Sequence, residues 1–460
     1  MVLVSEQGER RIGQEEARKV SETMGLVEDR ALHAYLEQVG ERLRAVTPRS
    51  EAVYSWQVVD RPEPNAFALP GGPVYVSRGL LALLNSEDEL AGVVGHEMGH
   101  VAARHSTRRL TVGAPFAIAF GLPAAVVGAV SPALGKIVGI PAAVAEGLVV
   151  APYARSQEHD ADDIGMELAA KAGWNPAALA DALETLEEES VLRQGEPRQA
   201  TFFDTHPLTR DRLQRIRTKA STLEVAEPRP IAGDRAAFYA KVQGILVGDD
   251  PRQGVFDDND FLHPGLGLFL RFPQGWRTEN QDRMVVAMPE GHEQRVFTLL
   301  QISTEGNDPR AGLAADEVDK RWWSQAQETR IHGLPALRLL AAEGGVAYDL
   351  TWVALGGRIY RVSGACPAEQ LSHWQATFDR VAGSFRALRA EDRPRIREKR
   401  LRVARARKGE TLAQLLARVD NAWRPDAVAI ANGLSLGQHL RTGQPVKYVR
   451  AERYQGTSER

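Results

Sequence analysis

The stretch GVVGHEMGHVAARH, Gly92–His105, places His96, Glu97 and His100 in an otherwise apolar, small-residue segment. Residues four apart on a helix lie on one face about a turn apart, so both imidazoles can point at the same atom. Such a pair is a chelate, and the HExxH pattern reads as two zinc ligands with the glutamate as general base. Glu97 is displaced round the helix, near enough to reach a water at that atom without being drawn into its coordination. The chemistry this supports is peptide-bond hydrolysis by a zinc-activated water. Zinc lowers the pKa of that water to about 7, and Glu97 accepts the proton and returns it to the leaving amine. One Zn2+ per chain is the cofactor expected.

A zinc enzyme needs three protein ligands and an open position. Cys366 is the only cysteine, so the third ligand must be His, Asp or Glu. In RSQEHDADDIG, Glu158 and Asp162 stand four apart, one able to bind metal and the other to hold a ligand histidine. Glu158 is read as the third ligand. His159 and Asp160 can substitute, although they lie on other faces of the helix if Glu158 points inward. THPLTRDRL contributes His206 and Arg212, either as surface cap residues or as polar groups facing the site. In NAFALPGGPVYVS the segment Asn65, Ala66, Phe67 and Ala68 either presents a hairpin edge to an extended peptide or belongs to an ordinary buried hairpin.

Local elements must position these groups. Ser86 followed by Glu89 is a capping box, which predicts a helix from about Glu87 to about Arg109. From Gln14 to Val46 the apolar positions recur at helical spacing; YSWQVV alternates like a strand, and AFALPGGPVYVSRGL reads as two short strands about a Pro-Gly-Gly turn. The segment carrying Glu158 reads as a helix ending near Gly173, Asn175 and Pro176 open the next, and the chain stays helical to about Leu223. Beyond Pro228, aromatic alternating segments predict an antiparallel sheet flanked by helices around Glu317–Gln327 and Ala368–Val381. Arg386–Lys408 carries eleven basic and three acidic residues and reads as a linker or solvated helix, with an anionic surface as the less favoured alternative.

The 460 residues exceed what one core organises, so two or three domains are expected. The formal net charge of −3 gives no reason to expect nucleic acid as a partner. MVLVSEQGERRIG holds too few apolar residues for a signal peptide, which implies a cytoplasmic protein or a processed or truncated form. Residues 111–135 are uncharged and of transmembrane length, but Pro115, Pro123 and Pro132 argue against one straight span. Residues 111–152 are read instead as a broken apolar lid or membrane-surface hairpin over the cleft, with a true span or ordinary core as the less favoured alternatives.

Four pieces in order then give a resemblance. NAFALPGG (Asn65–Gly72), HEMGH (His96–His100), EHDAD (Glu158–Asp162) and HPLTRDR (His206–Arg212) resemble the M48 family of zinc metallopeptidases, over about Glu6–Leu223. The resemblance implies a gluzincin: His96, His100 and Glu158 bind zinc, Glu97 is the catalytic base, and Asp162 supports a ligand. It further implies that His206 approaches the metal as a fourth ligand or transition-state donor. The segment beginning GILVGDDPRQG is similar in pattern to PsbP-like folds, and KGETLAQLLARVD with the chain to Val449 is similar to a degenerate LysM unit. The implied architecture is a mostly α zincin-type metallopeptidase domain with a small β-hairpin or sheet (1–227), an α+β module (228–390), a basic linker (391–402) and a small LysM-like α/β unit with tail (403–460). The implied activity is zinc-dependent endopeptidase action on misfolded or unassembled envelope proteins, in the periplasm or cell envelope, with membrane association as an option. The competing readings are an envelope chaperone or assembly factor with a latent zinc site, and a peptidoglycan-binding protein.

Overall fold

The computed structural model describes residues 4–107, 152–193, 202–228, 230–281, 284–290 and 296–456. The lid assigned to 111–152 lies, but for Pro152, outside the described residues. Among the described residues no helix is long and apolar enough to cross a membrane.

Two compact units emerge, and the first contains the described parts of residues 4–248 together with 399–452. It opens with α1 (Glu6–Met24) and α2 (Arg30–Arg44), started by Ser5 and Asp29, whose side chains accept the backbone N–H groups of Gly8 and Leu32. A small sheet follows, β1 (Ser55–Val59), β2 (Ala66–Ala68) and β3 (Pro73–Ser77), in the order β1-β3-β2. β1 runs parallel and β2 antiparallel to β3, so β2 is an edge strand among the described residues. Helix α3 (Arg78–Leu83) then leads into α4 (Glu87–Ala102), the helix of the HExxH motif.

Nearly all of α4 is buried, Glu87, Glu89, His96, Glu97 and His100 included. Its glycines explain how it fits. A Cβ on Gly99 would meet the Ala161 carbonyl oxygen at 2.6 Å, and one on Gly92 would lie 3.1 Å from the backbone of Leu179. The facing α5 (Arg155–Lys171) and α6 (Ala178–Leu192) therefore approach α4 backbone to backbone. Helix α4 stops at Ala102 rather than near Arg109, because Arg104 takes up a left-handed conformation, φ 56°, before a helical turn resumes at His105. The unit continues through α7 (Phe202–Thr205), α8 (Arg210–Ala220) and α9 (Arg235–Val242).

The second unit contains the described residues of 249–398 together with 453–456, and it combines strands with helices. Its main sheet has seven antiparallel strands in the order Gln327–Ile331, Leu334–Glu343, Val346–Leu355, Arg358–Pro367, Phe297–Glu305, Met284–Pro289, Trp276–Gln281. Helix Leu371–Gly383 packs on the strands Val346–Leu355 and Arg358–Pro367 through Phe378. The helix expected over 317–327 is instead two short segments, Ala311–Ala315 and Lys320–Trp323, after which the chain enters a strand at Gln327.

Within the basic run Arg386–Lys408, read as a linker or solvated helix, Arg397–Arg405 is a strand paired with Pro445–Arg453. Its charges are met locally, Arg402 by Glu452 at 2.6 Å and, further along, Arg418 by Glu410 at 2.7 Å. The C-terminal segment has a small core of Leu412, Leu415, Leu416, Val428 and Val446, yet Leu401, Ala431 and Val449 join the core of the first unit. Lys447, fully buried, donates to the carbonyl oxygens of Ala82, Leu83 and Leu84 at 2.9, 2.9 and 2.6 Å, completing the C-terminus of α3. Tyr239 adds a hydrogen bond to Asn85 at 2.6 Å beside it. A segment this small buries more apolar surface by sharing a core than by closing its own.

Candidate metal centre

Three local devices place the side chains. Ser86 Oγ accepts the Glu89 N–H at 3.1 Å and fixes the start of α4, hence the rotation that turns His96 and His100 inward. A Cβ on Gly165 would lie 2.6 Å from the His96 backbone nitrogen, so α5 can lie against α4 only with hydrogen at that position, and this brings Glu158 under the two rings. Thr209 caps α8 by accepting the Arg212 N–H at 3.2 Å, and the short α7 before it delivers His206.

These elements converge on one buried cluster. His96, His100, Glu158 and His206 each offer a ligand atom, all within 4.8 Å of one another. His96 Nε2 lies 3.1 Å from His100 Nε2 and 3.2 Å from His206 Nδ1, and Glu158 Oε1 lies 3.1 Å from His206 Nδ1 and 3.3 Å from His100 Nε2. Neutral imidazole carries one ring proton, so three rings and a carboxylate cannot make all four of these short contacts hydrogen bonds at once. A divalent cation accepts every one of these lone pairs, and two or three imidazoles with a carboxylate are a donor set of the zinc type. The residues fit a metal ion.

Around the cluster, Asp162 Oδ1 stands 2.9 Å from His96 Nδ1, which leaves His96 Nε2 to face inward. Arg212 grips Asp162 in a fork, Nε to Oδ2 at 2.9 Å and Nη2 to Oδ1 at 2.8 Å, and its Nη1 lies 2.6 Å from Glu158 Oε2. Arg212 is thus buried against both carboxylates and is not a surface residue. Glu97 points at the same centre, its Oε1 buried without a hydrogen bond and 3.5 Å from His206 Nε2. His159 and Asp160 stay outside the cluster.

Electrostatics follow from this crowding. Burial alone would raise Glu158, but His206, His100 and His96 together hold its carboxyl well below the usual range. Burial likewise raises Asp162, and His96 and Arg212 overcome it to keep that carboxylate ionised. For Glu97 burial wins over His206 and His96, and its pKa is pushed up. Burial also drives His100 well below its ordinary value, with His96 and His206 adding to the effect, whereas at His96 burial is outweighed by Asp162 and Glu158.

The strand β2 runs beside Glu97. Ser77 N–H donates to Asn65 O and Leu69 N–H to Pro73 O, so the odd residues of this edge bond to β3 and Ala66 and Ala68 face their backbone groups away from it. The Ala68 N–H reaches the Glu97 carboxylate. Asn65 is held through its backbone by Ser77, and Phe67 stacks on Tyr75 at 4.9 Å.

Two neighbours of the cluster were not singled out from the sequence. His105 Nδ1 lies 3.0 Å from His100 Nδ1, and the Tyr153 ring stacks on His100 at 4.0 Å. The spacing of five between His100 and His105 fits no one-face helical rule, because the helix is interrupted between them.

Residues 30–220 match the model of Peptidase family M48. The mitochondrial metalloendopeptidase OMA1 of Schizosaccharomyces pombe is 31% identical over 215 residues, 45% of this chain and 60% of that protein. The beta-barrel assembly-enhancing protease of Yersinia pestis is 28% identical over 240 residues, 51% of this chain and 48% of its own. The chain thus spans between about half and three fifths of the length of these relatives. A solution structure of cyanobacterial PsbP from Synechocystis covers 29% of this chain and 95% of its own at 13% identity, with a TM-score of 0.23.

Proposed function

We propose, from the premise that residues 30–220 are a domain of peptidase family M48, that this protein is a zinc-dependent endopeptidase with its active centre at His96, Glu97, His100, Glu158 and His206. The observation that carries the reading is the buried convergence of four ligand atoms within 4.8 Å beside a carboxylate that makes no hydrogen bond through one oxygen. A zinc ion held there supplies Lewis acidity, making a water acidic near neutral pH and polarising a carbonyl.

The chain's own residues do the rest. His96, His100 and Glu158 hold the metal, and Asp162 keeps His96 in the tautomer with Nε2 free. Arg212 fixes both carboxylates in place and offsets part of their charge. Glu97 takes the proton of the attacking water at its free oxygen and passes it to the leaving amine. His206, beside Glu97, donates to the oxyanion as the carbonyl carbon becomes tetrahedral. The outward backbone groups of Ala66, with the Ala68 carbonyl, pair with an extended peptide and lay its carbonyl over the centre.

The substrates proposed are misfolded or unassembled proteins of the cell envelope, in the periplasm and at or near the membrane, a reading supported by the names of the relatives. For residues 403–460, peptidoglycan is the proposed partner, and for 111–152 a membrane surface. A second reading, an assembly factor whose zinc site is latent, has one observation in its favour: His206 stands among the ligand atoms, where an open position is needed.

The test is casein digestion by the full chain, with and without chelator, in wild type and Glu97→Gln. Loss of rate by about 10²–10⁴ with zinc content retained is expected of a general base. A Glu97→Gln protein that digests casein at the wild-type rate ends the endopeptidase reading.

A further inference from the structure

We propose that His105 is the positioning residue for His100: its Nδ1 accepts the His100 Nδ1–H across 3.0 Å and so fixes the tautomer whose Nε2 lone pair faces the cluster. The inference rests on the reading of that cluster as a metal centre. It adds a residue outside the HExxH, Glu158 and HP segments.

The argument begins with proton counting. Two imidazole nitrogens 3.0 Å apart share one hydrogen, and either ring can supply it. If His105 supplied it, His100 would carry its own proton at Nε2. That N–H would point at His96 Nε2, 3.1 Å away, and at Glu158, leaving no lone pair for a metal. Metal binding therefore requires His100 to donate and His105 to accept. A neutral His105 then carries its proton at Nε2, and Asp160 Oδ2 lies 3.7 Å from that atom, on the side where a carboxylate favours this tautomer. The order runs His105, His100, metal, as Asp162, His96, metal does on the other ligand.

The fold holds strain at this placement. His105 follows Arg104, one of the non-glycine residues with positive φ, and this reversal directs the chain back so that the His105 ring lies against His100. Arg104 is held there by Glu9 of α1, with Arg104 Nη2 2.6 Å from Glu9 Oε2, and by a hydrogen bond to Val4 O at 3.1 Å. Arg49 bonds the same glutamate at 2.9 Å and the Val101 carbonyl at 2.7 Å, clamping the end of α4. A left-handed non-glycine residue is strained and persists where surrounding contacts enforce it. His105 itself is fully buried, with Tyr153 tilted beside it and Ser106 bonded to the Tyr153 hydroxyl at 2.9 Å. His100 is the hydrogen-bond partner at Nδ1, while Asp160 Oδ2, 3.7 Å from Nε2, lies near enough to act on the ring only through its charge.

Zinc and cobalt titrations of the full chain, by competition with a chromophoric chelator, test the proposal. His105→Phe is expected to weaken both metals by about 10–100-fold, the usual effect of losing a partner of a ligand histidine. His105→Asn, whose side-chain oxygen can stand where Nδ1 does, is expected to recover most of that loss. Independently of any variant, nitrogen-15 NMR of the zinc-loaded wild type is expected to show His100 protonated at Nδ1. Wild-type affinity in His105→Phe, equal weakening in His105→Asn, or a His100 lacking the Nδ1 proton overturns the assignment. If the wild type binds neither metal, the metal-centre reading itself fails, a distinct outcome that removes the ground for this inference.

Discussion

Gly165 of α5 faces His96 of α4 so closely that a Cβ on the glycine would fall 2.6 Å from the His96 backbone nitrogen and 2.8 Å from the Gly95 carbonyl carbon. Because those contacts are backbone, no rotamer change relieves them. Gly165→Ala is expected to push the helices apart, costing about 1–3 kcal/mol as overpacking does. It should also weaken metal binding, since Glu158 travels with α5. Gly383→Ala, where a Cβ meets nothing within 4 Å, serves as the control and should be neutral or slightly stabilising. Thermal melts and a zinc titration of both variants decide the matter; normal affinity in Gly165→Ala would show that the glycine contact does not position Glu158.

His206→Phe keeps a ring against Phe202, on which His206 now stacks at 4.3 Å, while removing both nitrogens. If His206 donates to the developing oxyanion, kcat should fall about 10²–10³-fold with zinc retained by the other three residues. An unchanged or raised rate on small peptides would mark His206 as a plug of the resting centre and favour the latent-site reading.

Glu9 supplies a pH signature away from the catalytic cluster. Burial alone would raise its pKa, but hydrogen bonds from Arg49 and Thr107 and the charges of Arg49 and Arg104 lower it below 4.5. A depressed carboxyl stabilises the fold above its unfolded pKa, and that contribution drains away as pH falls through the folded value. The protein should therefore lose stability below about pH 4.5 partly through this group. Glu9→Gln should cost on the order of 3 kcal/mol at pH 7 and flatten the acid limb of the melting profile. An acid limb of unchanged steepness would remove Glu9 from the account.

Which parts of this structure the sequence revealed follows the range of the interactions. Ser86 and the pattern after it place the start of α4 at Glu87, because a cap is a local bond. The end is another matter: apolar spacing runs on past Ala102, and nothing in the letters AARH announces that Arg104 reverses its φ. Glu158 and Asp162 are legible from their spacing, whereas the fork of Arg212 on Asp162 spans fifty residues and left its role open between surface and site. The basic run from Arg386 hides a strand because its charges dominate its composition, and partners such as Glu452 become visible only once the strands pair. His105 stayed unread for the same reason as the helix end.

Lys447 carries a consequence for anyone who would cut this protein into pieces. Since the ammonium that finishes α3 comes from the far C-terminal strand, a fragment ending near residue 227 is an amputated body with three carbonyls handed back to water and an apolar wound where Leu401, Ala431 and Val449 had been. Sluggish or insoluble behaviour of such a fragment would speak of missing architecture and leave its chemistry unjudged.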